Sequence, residues 1–144
     1  MGLTLTIMTQ MRERLASLTS ADTPVKAFVG DPPSNPGLPF VFVWGPPTLA
    51  TSEAMSGCGG DVDVRLHVQV VAATTVNVLD LADSVAERLA GWTPQVPGWR
   101  CFPLVHVGVT EVRADNSTVA APANRAPRYC TVTLRARATQ LKEA

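Results

Sequence analysis

The most regular stretch of the chain alternates strictly. Val62, Val64, Leu66, Val68 and Val70 are interleaved with Asp61, Asp63, Arg65, His67 and Gln69. Residues two apart share a face of a strand, so this spacing predicts a strand over 61–71 with one apolar and one polar face. At Thr74 the period lengthens to that of a helix. Val78, Leu81, Ala82, Val85 and Leu89 then line one side while Asp80, Asp83, Ser84 and Glu87 line the other. This pattern predicts an amphipathic helix from Asn77 to Ala90. Asn77 reads as its N-cap, Asp80 as a carboxylate near the free amides of the first turn, and Gly91 as its stop.

The same reasoning places the remaining elements. Met8, Met11, Leu15 and Leu18, with Gln10, Arg12, Glu13 and Arg14 between them, predict a helix over Thr4 to Ser20, halted by Asp22 to Pro24. Val25 to Val29 reads as a short strand entering the turn Gly30-Asp31-Pro32-Pro33. Leu38 to Trp44 is an uninterrupted apolar run, expected to be a buried strand closed by Gly45-Pro46-Pro47. Cys101 to Arg113 predicts one long strand in which Val105, Val107 and Val109 alternate with Leu104, His106, Gly108 and Thr110; Pro103 restricts its start to an edge or entry position. Arg128 to Ala138 predicts the closing strand, setting Cys130, Val132, Leu134 and Ala136 against Tyr129, Thr131, Thr133, Arg135 and Arg137. Two loops, about 46–60 and 114–127, are expected to be mobile, and loops of that length are usually functional or disordered. The order α-β-β-β-α-β-β predicts a single α+β domain over 1–144, with two helices packed on one face of a mainly antiparallel sheet.

Composition narrows the function classes. The 144 residues are 46% apolar and 17% charged, which excludes a disordered chain. Twelve Lys and Arg balance twelve Asp and Glu, so the basic excess of a dedicated nucleic-acid binder is absent and little charge opposes association of copies. The longest stretch without a charge, Pro32 to Ser52, is broken by six prolines and reads as loop and strand, not as a membrane span. No basic segment followed by an apolar one opens the chain, so a secretory signal is not expected. Met1-Gly2 with Thr6 and Asn116-Ser117-Thr118 match modification patterns too permissive to carry weight. Cys58, Cys101 and Cys130 match no disulfide framework or metal knuckle, and a reducing compartment is expected. Cys130 falls in the predicted core, and Cys58 is expected to be exposed.

Catalytic patterns are sparse. No Gly-x-Ser-x-Gly elbow is present, and Gly57, Gly59 and Gly60 are followed by neither Lys-Ser nor Lys-Thr nor a helix, as a phosphate cradle requires. His67 and His106 are the only histidines. With Asp63 or Asp61 they form the one constellation from which a small ligand- or metal-binding enzyme would be built, and a metal would need a third ligand brought in by strand register. Charges on a sheet face that meets solvent or a neighbour are the commoner use of such residues. On that reading no catalytic residue, cofactor or metal is expected.

The order of elements resembles the tail terminator (tail completion) proteins of long-tailed bacteriophages. The resemblance rests on the N-terminal helix Thr4 to Ser20, the strand-turn-strand Val25 to Trp44 with Pro32, Pro33 and Pro39, and the strand Asp61 to Val71 running directly into the helix Asn77 to Ala90. The closing pair Cys101 to Arg113 and Arg128 to Ala138 completes it, so nearly the whole chain is covered. It implies a virion subunit, assembled in the host cytoplasm, that forms a hexameric ring on the tail tube. Such a ring ends tube polymerisation and offers the head-side connector a docking surface. The implied partners are further copies of the chain, the tube protein and the connector, with DNA only as non-specific cargo and no membrane. The family carries no transferable residue motif, so the expected subunit and tube contacts come from the polar row Asp61, Asp63, Arg65, His67 and Gln69, from Glu53 in the first loop, and from Arg125, Arg128, Arg135 and Arg137. Another head-tail joining or minor tail subunit is the near alternative.

Overall fold

The computed structural model of the chain describes residues 2–46, 61–114 and 126–141. In chain order the elements are α1 (Leu3–Leu15), a small hairpin of β1 (Thr19–Ser20) and β2 (Thr23–Pro24), then β3 (Lys26–Val29), β4 (Phe40–Trp44) and β5 (Asp61–Ala72). They continue with α2 (Thr75–Leu89), β6 (Trp99–Cys101), β7 (Val105–Val109), β8 (Arg113–Ala114) and β9 (Arg128–Gln140). The main sheet runs β3-β4-β5-β9, and β6, β7 and β8 follow one another along the outer edge of β9. All its pairings are antiparallel except β3 with β4. Both helices pack on one face, which makes the two-layer α+β arrangement expected from the sequence.

The alternation in β5 and β9 decides where the core lies. Leu66 stands opposite Leu134, Val68 opposite Val132 and Val70 opposite Cys130, all on the helix side and all buried. Val41 and Val43 of β4 extend this apolar floor. Ile7, Met11 and Leu15 of α1, and Val78, Leu81, Val85 and Leu89 of α2, close over it. Burying each such side chain contributes about 1.5–3 kcal/mol. The helices are also tied to each other: the Arg14 guanidinium donates to the carbonyl of Arg88, and Arg88 donates in return to the carbonyl of Arg14 and to Ser17 Oγ. Arg14 lies over the Trp92 ring, 5.0 Å from its centroid. Gln10 holds both backbone groups of Gln95, accepting from its N–H at 2.9 Å and donating to its carbonyl.

Several local expectations are corrected. α1 ends at Leu15, and its buried stripe is Leu3, Ile7, Met11 and Leu15; Met8 is only half-buried, and Leu18 packs from beyond the helix end. The segment expected only to stop that helix folds into the β1-β2 hairpin, turned by Ala21 and Asp22 at φ 49° and 66°. β4 is buried on one face only: Val41 and Val43 point to the core while Phe40, Phe42 and Trp44 point away from it. The N-cap of α2 is Thr74, whose hydroxyl accepts from the Asn77 N–H at 3.1 Å, so Asn77 is already helical and Asp80 lies beyond the first turn. Gly91 does mark the stop, at φ +80° with its N–H bonded to Leu104.

The long strand expected over 101–113 is three short ones. Pro103 interrupts it after β6, and a bulge between His106 and Gly108 breaks the register of β7 on β9. Val105, Val107 and Val109 are 53%, 44% and 55% exposed, because β7 lies at the sheet edge; Leu104 turns inward and is buried, and Cys101 and Val112 pack partly buried against the core. Of the expected mobile loops, residues 47–60 and 115–125 lie outside the described residues, as does Cys58.

Candidate functional site

The face of the sheet that carries neither of the described helices is built from the odd-numbered residues of β5 and β9 together with Phe28 and the aromatic residues of β4. Its cross-strand rows follow from the register. Thr131, Gln69, Phe42 and Phe28 form one row, and Thr133, His67 and Trp44 form the next. Arg135 with Arg65, Arg137 with Asp63, and Thr139 with Asp61 and Arg100 complete the face toward its other end.

One half of this face is aromatic. Phe28, Phe40, Phe42 and Trp44 contact in series with ring centroids 6.4, 6.3 and 5.6 Å apart, and His67 continues the series 5.0 Å from Trp44. Beside them a groove of about 510 Å³ is lined by Pro32, Pro36, Leu38, Val71 and Tyr129 as well as Phe40 and Phe42. The other half is rich in arginine. Arg65 stands directly opposite Arg135, an arrangement that repels. Asp63 relieves it by accepting a bidentate pair of hydrogen bonds from Arg135, one of them 2.8 Å long. Arg100 and Arg137 both lie over the Phe102 ring, 5.7 and 5.8 Å from its centroid.

These neighbours set the titration of the site. The hydrogen bond from Arg135 holds the Asp63 carboxyl below the usual carboxylate range, and the charges of Arg135, Arg137 and Arg65 act in the same direction. Burial pushes the His67 imidazole below its ordinary value, helped by the Arg65 charge; its Nδ1 lies 3.0 Å from Thr133 Oγ1. Burial raises the thiols of Cys101 and Cys130, so neither is poised as a thiolate nucleophile.

The residues expected from the sequence are therefore partly gathered and partly split. Asp61, Asp63, Arg65, His67, Gln69, Arg135 and Arg137 all share the open face. Arg128 does not join them: it pairs with Ala72, in register with the helix-side face, seven residues along β9 from Arg135. Glu53 and Arg125 lie outside the described residues. The constellation of His67, His106 and Asp63 does not converge either. His106 is opposite Leu134, on the helix side, whereas His67 is on the open side and Asp63 is engaged by Arg135. Among the described residues no three metal-ligating side chains come together. The reading from sequence missed the aromatic half and Phe102. The signal was present in Phe40-Val41-Phe42-Val43-Trp44, where aromatic residues and valines take alternate positions of what scans as a uniform apolar run.

Among the described residues, then, the core is closed on one side of the sheet, while half-buried aromatic rings and exposed arginines occupy the other. The family model described as "Tail completion protein gp17" matches residues 9–138, and the chain belongs to that family. It is thus a structural subunit of a bacteriophage tail and a component of the virion. Among solved structures, a chain from the virion of a native gene transfer agent particle shares the fold, with a TM-score of 0.54, 15% identity and 78% of each chain covered. No curated protein matches the sequence. Among the described residues, no helix is long and apolar enough to cross a membrane.

Proposed function

We propose that this protein completes the tail as its terminator, copies of the single-domain chain forming a hexameric ring on the tube end that stops tube polymerisation and presents a docking surface to the head-side connector. The observation that carries this reading is the open sheet face. A domain that has already closed its core with two helices still exposes a contiguous surface of aromatic rings, a groove and paired arginines, the residue types enriched where proteins meet. On this reading the polar row Asp61, Asp63, Arg65, His67 and Gln69, with Arg135 and Arg137, contacts neighbouring subunits or the tube. DNA passes through the lumen as non-specific cargo, and the chain carries no enzymatic activity, cofactor or metal.

The test is the mass of the purified protein in solution, followed by its binding to isolated tail tubes. A hexamer, or a monomer that becomes a ring on the tube end and blocks further tube growth, is the expected result. A monomer at high concentration that also fails to bind tubes overturns the proposal. Binding at the head-side connector without any effect on tube growth would favour a head-tail joining subunit instead.

A further inference from the structure

The chain carries two charged surfaces that fit each other and cannot meet within one molecule. The first is the outer stripe of α2. Val76, Leu79, Asp80, Asp83 and Glu87 recur at helical spacing on the side opposite the buried Val78, Leu81, Val85 and Leu89. Val76 and Leu79 are 73% and 53% exposed, and the three carboxylates are exposed as well. None of the three has a described cation within ion-pair distance, since Asp63 with Arg135 is the only ion pair among the described residues. The second surface is the open face of the sheet, which runs from aromatic residues at Phe42 and Trp44 to arginines at Arg65, Arg100, Arg135 and Arg137. Two aspartates, Asp61 and Asp63, offset those four arginines, so this end of the face keeps a cationic excess.

The two surfaces share an order and a length. Each passes from apolar to charged along its axis. The stripe from Val76 to Glu87 spans about 17 Å of helix. From the Phe42 row to the Arg137 row the sheet spans about 20 Å of strand. They lie on opposite sides of the two-layer domain, with α2 facing outward from one side and the bare strands from the other. We propose that α2 of one copy lies on the open sheet face of the next, Val76 and Leu79 against the aromatic half and Asp80, Asp83 and Glu87 against Arg65, Arg100 and Arg137. The contact is heterologous, each copy giving one surface and receiving the other, and such a contact closes into a ring when the rotation between neighbours allows it. The zero net charge of the chain, with an acidic stripe on α2 and an arginine excess on the open sheet face, suits this self-complementarity.

This inference rests on the ring reading and assigns its contact. It is tested by charge reversal in the full-length chain, with association measured by sedimentation in solution and by binding to isolated tail tubes. Asp80→Arg with Asp83→Arg reverses the helix stripe, and Arg65→Glu with Arg137→Glu reverses the sheet. All four side chains are exposed, so folding is expected to persist and is checked by circular dichroism. Each reversal alone places like charges across the contact and is expected to weaken association at least about tenfold, whereas the chain carrying both reversals recovers most of it. The recovery is the readout that a merely destabilised fold would not produce. Wild-type rings that both reversals leave unchanged, or folded single reversals whose combination fails to recover, overturn the contact while leaving the ring. A wild-type chain that associates neither in solution nor on tubes overturns the ring and the contact together.

Discussion

Leu66 and Arg65 are neighbours in β5 and meet opposite circumstances. Leu66 is fully buried opposite Leu134 under the helix layer, whereas Arg65 stands on the bare side opposite Arg135. The helix-side face follows the rules of a core, with apolar partners in the rows from Val62 with Ala138 to Val70 with Cys130 and a charge only at its end, where Arg128 pairs with Ala72. The open face breaks the rules of a self-sufficient sheet by setting like charges opposite each other, leaving aromatic rings half-exposed and concentrating arginine at one end. One strand pair thus carries a surface that closes the core and a surface proposed for contact, and the difference should appear directly when residues on each side are changed.

The largest effect is expected on the covered side. Leu134→Ala removes a fully buried side chain and leaves a cavity, and it should lower unfolding stability by about 2–5 kcal/mol in a denaturant titration. On the open side Trp44→Ala loses its ring contacts with Phe42 and His67 but leaves no enclosed cavity, so about 1–2 kcal/mol is expected. If Trp44→Ala proved as damaging as Leu134→Ala, the contrast between the faces would fail.

A smaller effect comes from pH. The imidazole of His67 titrates below its ordinary value of 6.5 in the folded chain, so the unfolded chain takes up this proton first as pH falls. The stability that His67 contributes is present above that value and is lost as pH falls through the lower folded one. His67→Gln should flatten this part of the dependence of melting temperature on pH. The smallest effect is expected for Asp63→Asn. The ion pair with Arg135 is exposed, so its loss should change stability by under about 1 kcal/mol and less at high salt. Whatever Asp63 contributes is present above the ordinary aspartate range and is lost as pH falls through its own lower value.

Much of this contrast was legible before the structure. Strict alternation marked both faces of β5 and β9, and the change of period at Thr74 marked the turn into α2. What escaped did so for identifiable reasons. Alternation alone does not say whether a strand lies under a helix, and the alternation of Val105, Val107 and Val109 does not reveal that these side chains stay exposed at the sheet edge. Pro103 was visible, but the bulge beside Gly108 arises from pairing with β9 and has no local signature. Thr74 and Asn77 are both good capping residues, and only the geometry of the first turn chooses between them. At the open face the charged row was readable and the aromatic row was not, because Phe40 to Trp44 scans as uniformly apolar when the ring and valine positions are not separated. Strand parity sets Arg128 on the other side of β9 from Arg135 and Arg137, and nearness in sequence does not show it.

The open sheet face is expected to become covered when the protein takes its place in the tail. Hydroxyl-radical footprinting measures this directly by comparing side-chain oxidation in the free protein and in isolated tails. Trp44, Phe42 and Tyr129 should lose most of their reactivity on assembly while the already buried Met11 stays unreactive in both states. Equal oxidation of Trp44, Phe42 and Tyr129 in free protein and in tails would contradict it.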